Sequence, residues 1–169
     1  MKLTPKLVQG VISNTAGEDC IPIYKYLRGK KNISEFVLAE KLETEINIIR
    51  NMLYRMYNNN LVGFIRKKDK QKGWYIYYWT FNAKQVSFLY KSLKKKKVES
   101  LRERLKRETG SQFYSCGDSH LRLNFEKATE YNYKCPECGD LVELVDNAKT
   151  VKDIQKEIKE LEKELKALK

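Results

Sequence analysis

Apolar residues recur at helical spacing along most of the chain, and one stretch switches to the alternation of strands. Val8, Val11 and Ile12, then Ile21, Ile23, Tyr24 and Leu27, give apolar faces to a helical stretch from Thr4 to Leu27, broken near Gly17 and Asp19. Gly29 to Asn32 reads as a turn, and Ser34 is placed to cap a short helix reaching Leu42. Thr44 is placed to cap the next helix, with Glu45 in the first turn, where the helix dipole favours a negative charge. Ile46, Ile49, Met52, Leu53 and Met56 should face inward from it. Asn58, Asn59 and Asn60 end that helix, because asparagine tolerates the left-handed conformation of a C-cap.

The period then changes. Leu61 to Lys67 reads as a strand, Lys68 to Gly73 as a loop too long for a tight hairpin, and Trp74 to Thr80 as the returning strand. Asn82 can cap a long helix to about Glu108, whose apolar residues are Val86, Leu89 and Leu93, then Val98, Leu101 and Leu105. The stripe slips across Lys94 to Lys97, so bending or fraying is expected there. A helix of that length spans about 40 Å, enough to separate two domains. From Ala148 onward, Ile154, Ile158, Leu161, Leu165 and Leu168 alternate spacings of four and three, a short coiled-coil seam, with Glu162 and Lys166 set for a favourable pair.

Charge divides these elements. The chain has 34 Lys+Arg against 22 Asp+Glu, a balance that suits polyanions or an acidic protein surface. Nine basic residues lie between Lys91 and Arg107, whereas 111–147 holds seven acidic and three basic ones, so the two regions need not face the same partner. The run Lys94 to Lys97 reads as a solvated helix surface or as an electrostatic contact. No signal-peptide pattern precedes the cysteines, and no run approaches the ~20 apolar residues that a bilayer crossing needs. A reducing, cytoplasmic setting without membrane contact is the expectation.

Cys135-Pro136-Glu137-Cys138-Gly139 is the strongest chemical signal. Two thiolates two residues apart can grip one tetrahedral ion, and the glycine permits the tight turn after them. Cys116 supplies a third ligand. Its natural partner in a paired knuckle would stand at position 119, which is Ser119, while His120, the chain's single histidine, follows directly. Cys116, His120, Cys135 and Cys138 are therefore the expected metal ligands, holding a structural Zn2+ that stabilises a region too small for a proper core. An absent site, or zinc completed by water or another group, is the alternative. A thiol hydrolase built on Cys116 and His120 has no orienting or oxyanion motif to support it. Cys20 reads as a small buried apolar residue.

The fold class that follows is mainly α with small β elements. It comprises a winged helix-turn-helix domain at 1–81, a basic linker helix at 82–110, a zinc-ribbon-like domain at 111–147 and a coiled-coil-like C-terminal helix at 148–169. On the wing, Arg66, Lys67, Lys68, Lys70 and Lys72 are candidates for phosphate contact, the bland alternative being a solvated loop. Trp74, Tyr75, Tyr77, Tyr78 and Trp79 place rings on both faces of one strand. One face can enter the core; the other should stay exposed, as a protein interface or a stacking platform for unpaired bases. The outer stripe of the preceding helix, Asn47, Asn51, Tyr54 and Asn58 with Arg50 and Arg55, is weakly cationic for a base reader.

These residues carry a resemblance. Leu53-Tyr54, Met56-Tyr57 and Leu61, the wing Asp69-Lys70 with Gly73-Trp74-Tyr75 and Tyr77-Tyr78-Trp79, Phe113-Tyr114, Cys116, Phe125-Glu126-Lys127-Ala128, the Cys135 to Gly139 knuckle and Asp146-Asn147 resemble the archaeal general transcription factor E, alpha subunit. That family is similar to the front half of the large subunit of eukaryotic general factor IIE. The resemblance covers roughly residues 1–147. It implies a non-enzymatic factor that joins the pre-initiation complex, sits over the clamp and stalk of RNA polymerase and favours the melted promoter. The ring-rich strand would then touch polymerase, and the wing cations would be available to the non-template strand of promoter DNA. The family's ribbon usually has four cysteines in two pairs, and Ser119 departs from that. The tail is unassigned by the resemblance: it binds a second factor subunit or caps the chain. The competing reading is a stand-alone winged-helix DNA-binding regulator dimerised by its C-terminal helix.

Overall fold

The computed structural model describes residues 3–68 and 73–168. They form two compact units that divide after Ser92.

The first unit opens with α1 (Pro5–Thr15), capped by Thr4, whose hydroxyl accepts from the Leu7 N–H. Gly17, at φ 109°, turns the chain into a short 3-10 turn, Glu18–Cys20, and then into α2 (Ile21–Leu27). A two-residue strand, β1 (Ile33–Ser34), precedes α3 (Glu35–Lys41). Ser34 caps α3 as its sequence position implies, accepting from the Val37 N–H. Helix α4 (Ile46–Asn58) follows, and Asn60 leaves it at φ 55°, the left-handed turn expected of an asparagine stop. Strands β2 (Val62–Lys68) and β3 (Tyr75–Phe81) pair antiparallel from Val62 opposite Phe81 to Lys68 opposite Tyr75.

One local expectation fails, and one element was not foreseen. Thr44 does not cap α4: its hydroxyl donates to the Leu42 carbonyl, and Glu45 takes the N-cap position without a side-chain bond. Strand β1, which no alternation announces, pairs with β3 through Ile33 opposite Trp79, giving the sheet order β1-β3-β2. Two residues are too few to carry a period.

The core of this unit joins α1, α2, α3, α4 and β3. Ile12, Ile23, Leu27, Leu38, Ile49, Leu53, Met56 and Trp79 are fully buried in it. Alternation along β3 places Tyr77 and Trp79 on one face with Phe64 of β2, and these rings meet Tyr54 and Tyr57 of α4. Val86, on the first part of α5 (Ala83–Gly110), is also buried.

Helix α5 is one element of 28 residues and does not fray at Lys94 to Lys97. The slip in its stripe has another cause, since its two halves belong to different units. In the second unit Val98 and Leu101 of α5 pack on Ile154, Ile158 and Leu161 of α7 (Ala148–Ala167), with Leu105 and Leu165 at the edge. Lys94 with Glu164 at one end, and Glu108 with Asn147 at the other, make the pair antiparallel. Glu162 pairs with Arg102 of α5 at 2.6 Å, rather than serving Lys166.

Between the two helices lies a small sheet of order β5-β4-β6, made of β4 (Phe113–Ser115), β5 (Arg122–Asn124) and β6 (Glu143–Leu144). The short helix α6 (Phe125–Glu130) is capped by Asn124, which accepts from the Lys127 N–H. Cys116, Leu123, Ala128, Cys135 and Val142 form its minute core. Among the described residues, no helix is long and apolar enough to cross a membrane.

Candidate metal centre and the ring-bearing hairpin

Two turns bring the sulfur ligands together. After Cys135 the Gly139 N–H donates to the Cys135 carbonyl at 2.8 Å, and the Cys135 N–H donates to the Asp140 carbonyl at 2.7 Å. Gly139 sits at φ 78°, a conformation that favours glycine. The second turn starts at Cys116, where the Ser119 N–H donates back to the Cys116 carbonyl at 2.9 Å. Ser119 takes φ 55° and swings the next residue, His120, toward the sulfur. The Cys116 Sγ and His120 Nδ1 come to 3.7 Å.

Ligand atoms of Cys116, His120, Cys135 and Cys138 all lie within 4.8 Å of one another. A tetrahedral zinc with Zn–S near 2.3 Å and Zn–N near 2.0–2.1 Å separates its ligand atoms by about 3.6–3.8 Å. The constellation therefore fits one ion after small contraction. Cys116 and Cys135 are buried, while His120 and Cys138 face outward, so the group closes from one side. Backbone N–H groups, first that of Cys138 and then that of Glu137, hold the Cys135 thiol below its ordinary value against the opposing effect of burial. Such N–H bonds favour the thiolate, the form that binds metal. Cys20 takes no part. It is fully buried, its Sγ lies 3.4 Å from the Ala16 carbonyl, and burial pushes its thiol up to about 11.

The hairpin sorts the five candidate rings. Trp79 is 0% exposed and is a core side chain, so it has no surface to offer a partner. Tyr77 lies beside it, half-buried against Phe64. Tyr78 points to the other face, half-buried, with Lys67 Nζ 5.6 Å from its ring centre. Toward the wing, Trp74 and Tyr75 are 53% and 52% exposed. Arg66 lies over the Tyr75 ring at 4.9 Å. Arg66, Lys67 and Lys68 are exposed along β2, and Lys70 and Lys72 lie outside the described residues. Sequence reasoning overlooked Ile65. It is exposed on the Tyr78 face, directly opposite Tyr78, and strand alternation gives that face once Phe64 is turned inward.

Both cations of the α4 outer stripe are occupied within the unit. Arg50 donates through Nε and Nη2 to Glu35 Oε1 at 3.0 and 2.7 Å, and Glu35 is itself buried. Arg55 donates to Asp19 on the 3-10 turn.

A family model described as the TFIIE alpha subunit matches residues 6–110. The chain belongs to the TFIIE alpha family. It is similar to the transcription factor E of Pyrococcus abyssi, 34% identical over 152 residues that cover 89% of this chain and 80% of that one. It is also similar to those of Metallosphaera sedula, 34% identical over 85% of this chain and 82% of the relative, and of Methanocaldococcus jannaschii, 31% identical over 91% and 90%. These relatives carry the name of a transcription factor, not of an enzyme. The family-model match ends at residue 110, before Cys116, His120, Cys135 and Cys138, so for this TFIIE alpha family member the metal-binding reading rests on the geometry of these four side chains.

Proposed function

We propose that the chain is a general transcription initiation factor that binds RNA polymerase in the pre-initiation complex and promotes or stabilises promoter opening. In this reading the first unit is a winged helix, α5 a linker helix, and β4 to β6 a zinc-ribbon-like domain pinned by a structural Zn2+ on Cys116, His120, Cys135 and Cys138. When bound, the ion supplies cross-linking of the two turns and no reaction chemistry, because four protein ligands leave no open position.

One observation carries the proposal. The helix that a base-reading winged helix lays in the major groove has both arginines held by Glu35 and Asp19, whereas the neighbouring hairpin exposes Trp74, Tyr75 and Ile65. Exposed aromatic anchors suit a protein partner, and arginines already paired with carboxylates are poor readers of guanine. The exposed Arg66, Lys67 and Lys68 are then available to the non-template strand. The factor acts by differential binding: holding the open clamp and unpaired strand better than the closed state shifts the population by that difference. The stand-alone regulator reading loses its dimerisation device, since the apolar face of α7 is covered by α5 of the same chain.

The test is retention of RNA polymerase by the full chain without DNA, repeated with Trp74→Ala and Tyr75→Ala. Retention by the parent and its loss in the variants supports the reading. Failure of the parent to retain polymerase, with tight selection of one duplex sequence, would overturn it.

A further inference from the structure

Charge on α7 is divided in part by face. Three of its acidic residues turn toward α5, where Glu157 meets Lys97 at 2.6 Å, Glu162 meets Arg102 at 2.6 Å, and Glu164 meets Lys94. Its lysines do the opposite. Lys149, Lys152, Lys156, Lys159, Lys163 and Lys166 follow one another at spacings of three and four, a single row on the side away from Ile154, Ile158 and Leu161. All six are exposed, and none forms an ion pair with another described residue. Two exposed carboxylates stand beside this row, Asp153 between Lys149 and Lys156 and Glu160 beside Lys156 and Lys163, against its six lysines, and Gln155 is its neutral member.

We propose that this row binds the phosphate backbone of duplex DNA, independently of the wing and of polymerase. The row is straight and rigid because the opposite face of the helix is fixed by packing on α5. From Lys149 to Lys166 it extends roughly 26 Å, with a cation about every 5 Å of axis, a spacing that flexible lysine stems can match to successive phosphates. A protein partner fits it poorly. Protein interfaces are depleted of lysine and need an apolar or aromatic centre, and this face presents none. An unpaired strand fits it poorly as well, because single-strand sites rely on rings for base stacking. A stiff, regular polyanion needs only the charges, and its binding is driven by counterion release without regard to sequence.

The experiment measures binding of the full chain to a short mixed-sequence duplex, in the absence of polymerase, as salt is raised from about 50 to 200 mM. The parent is compared with a variant carrying Lys152→Gln, Lys156→Gln, Lys159→Gln and Lys163→Gln. Glutamine has nearly the helix propensity of lysine, and these side chains touch no core, so the fold should persist. Unchanged circular dichroism and thermal midpoint check that. The slope of log affinity against log salt should fall by about 3 to 4, at ~0.9 for each phosphate no longer neutralised. An unchanged slope and affinity overturn the proposal. So does displacement of the duplex by poly-glutamate at equal charge concentration, which would make an acidic protein the occupant. Polymerase retention is scored separately, so loss of duplex binding with intact retention identifies this surface without touching the reading of the hairpin.

Discussion

Glu108 and Arg122 meet fork to fork: Arg122 Nη1 donates to Glu108 Oε1 and Nη2 to Oε2, each at 2.7 Å. The pair ties the end of α5 to β5, and Asn147, at the start of α7, adds bonds from Nδ2 to the Glu108 carbonyl at 2.7 Å and to Oε2 at 3.0 Å. Arg122 also lies 4.0 Å above the Phe113 ring. One carboxylate thus fastens both helices and the small sheet together, in a unit with few apolar residues to do so. The Arg122 bonds, then that of Asn147, outweigh burial and hold the Glu108 carboxyl down at about 2.

A depressed carboxylate stabilises the fold above its unfolded value, and the gain is lost as pH falls toward the folded value. Comparing the parent with Glu108→Gln isolates it, since loss of metal in acid affects both chains alike. Their difference in unfolding free energy should be full above about pH 5 and fade as pH drops toward about 2. At neutral pH, Arg122→Ala should be the harsher change, because it strands a buried carboxylate. The cost should sit near the low end of the ~3–5 kcal/mol seen on breaking buried pairs, since the arginine is partly solvated. Denaturant titrations at several pH values read both effects. A difference that does not vary with pH would remove Glu108 as its source.

The metal site makes a prediction specific to this chain. Purified protein should hold one zinc, and His120→Ala should hold it more weakly, with Cys135→Ser losing it. Because Ser119 occupies the place where a second knuckle would put its cysteine, adding Ser119→Cys to His120→Ala should restore tight binding. Metal content after dialysis against a chelator checks all four proteins. Equal retention by the parent and His120→Ala would remove the imidazole from the ligand set.

Local pattern explains what could be read from sequence. The helices of the first unit follow from periodic apolar residues with caps such as Ser34, and β2 and β3 from alternation bounded by asparagines and a basic loop. The candidate group Cys116, His120, Cys135 and Cys138 was legible because the spacing within each pair is itself local. What stayed hidden depends on long-range choice. Alternation along β3 puts rings on two faces but does not say which face is buried, so Trp79 passed for a surface ring. The seam of α7 was legible, yet its partner was not, since nothing near residue 154 announces that Val98 will meet it. Glu108 and Arg122 likewise look like two ordinary charges until the turn of the small sheet sets them face to face.

The α5–α7 pairing predicts that the tail belongs to its own chain's core. Leu101→Ala and Ile158→Ala lie in one cluster, so each should cost about 2–4 kcal/mol. Together they should deviate from additivity by about 0.5–3 kcal/mol. The parent should sediment as a monomer, with a thermal midpoint independent of protein concentration. A midpoint that rises with concentration would instead assign the apolar face of α7 to a second copy.

Trp74 and Trp79, five residues apart on one hairpin, should respond in opposite ways. Trp79 is enclosed by Tyr54, Tyr57, Phe64 and Tyr77. Removing its ring leaves a large cavity, so Trp79→Ala should cost about 3–5 kcal/mol of stability. Any loss of polymerase binding in that variant would follow from unfolding. Trp74 is 53% exposed, so Trp74→Ala should cost far less, about 1 kcal/mol of unfolding free energy. If the hairpin is the docking surface, that same variant should weaken polymerase retention by tenfold or more, as about 1.4 kcal/mol at an aromatic anchor requires. Both quantities are measured on the same protein preparations. Normal retention by Trp74→Ala and Tyr75→Ala, with the fold intact in both, would move the docking surface away from the hairpin and onto another face of the first unit.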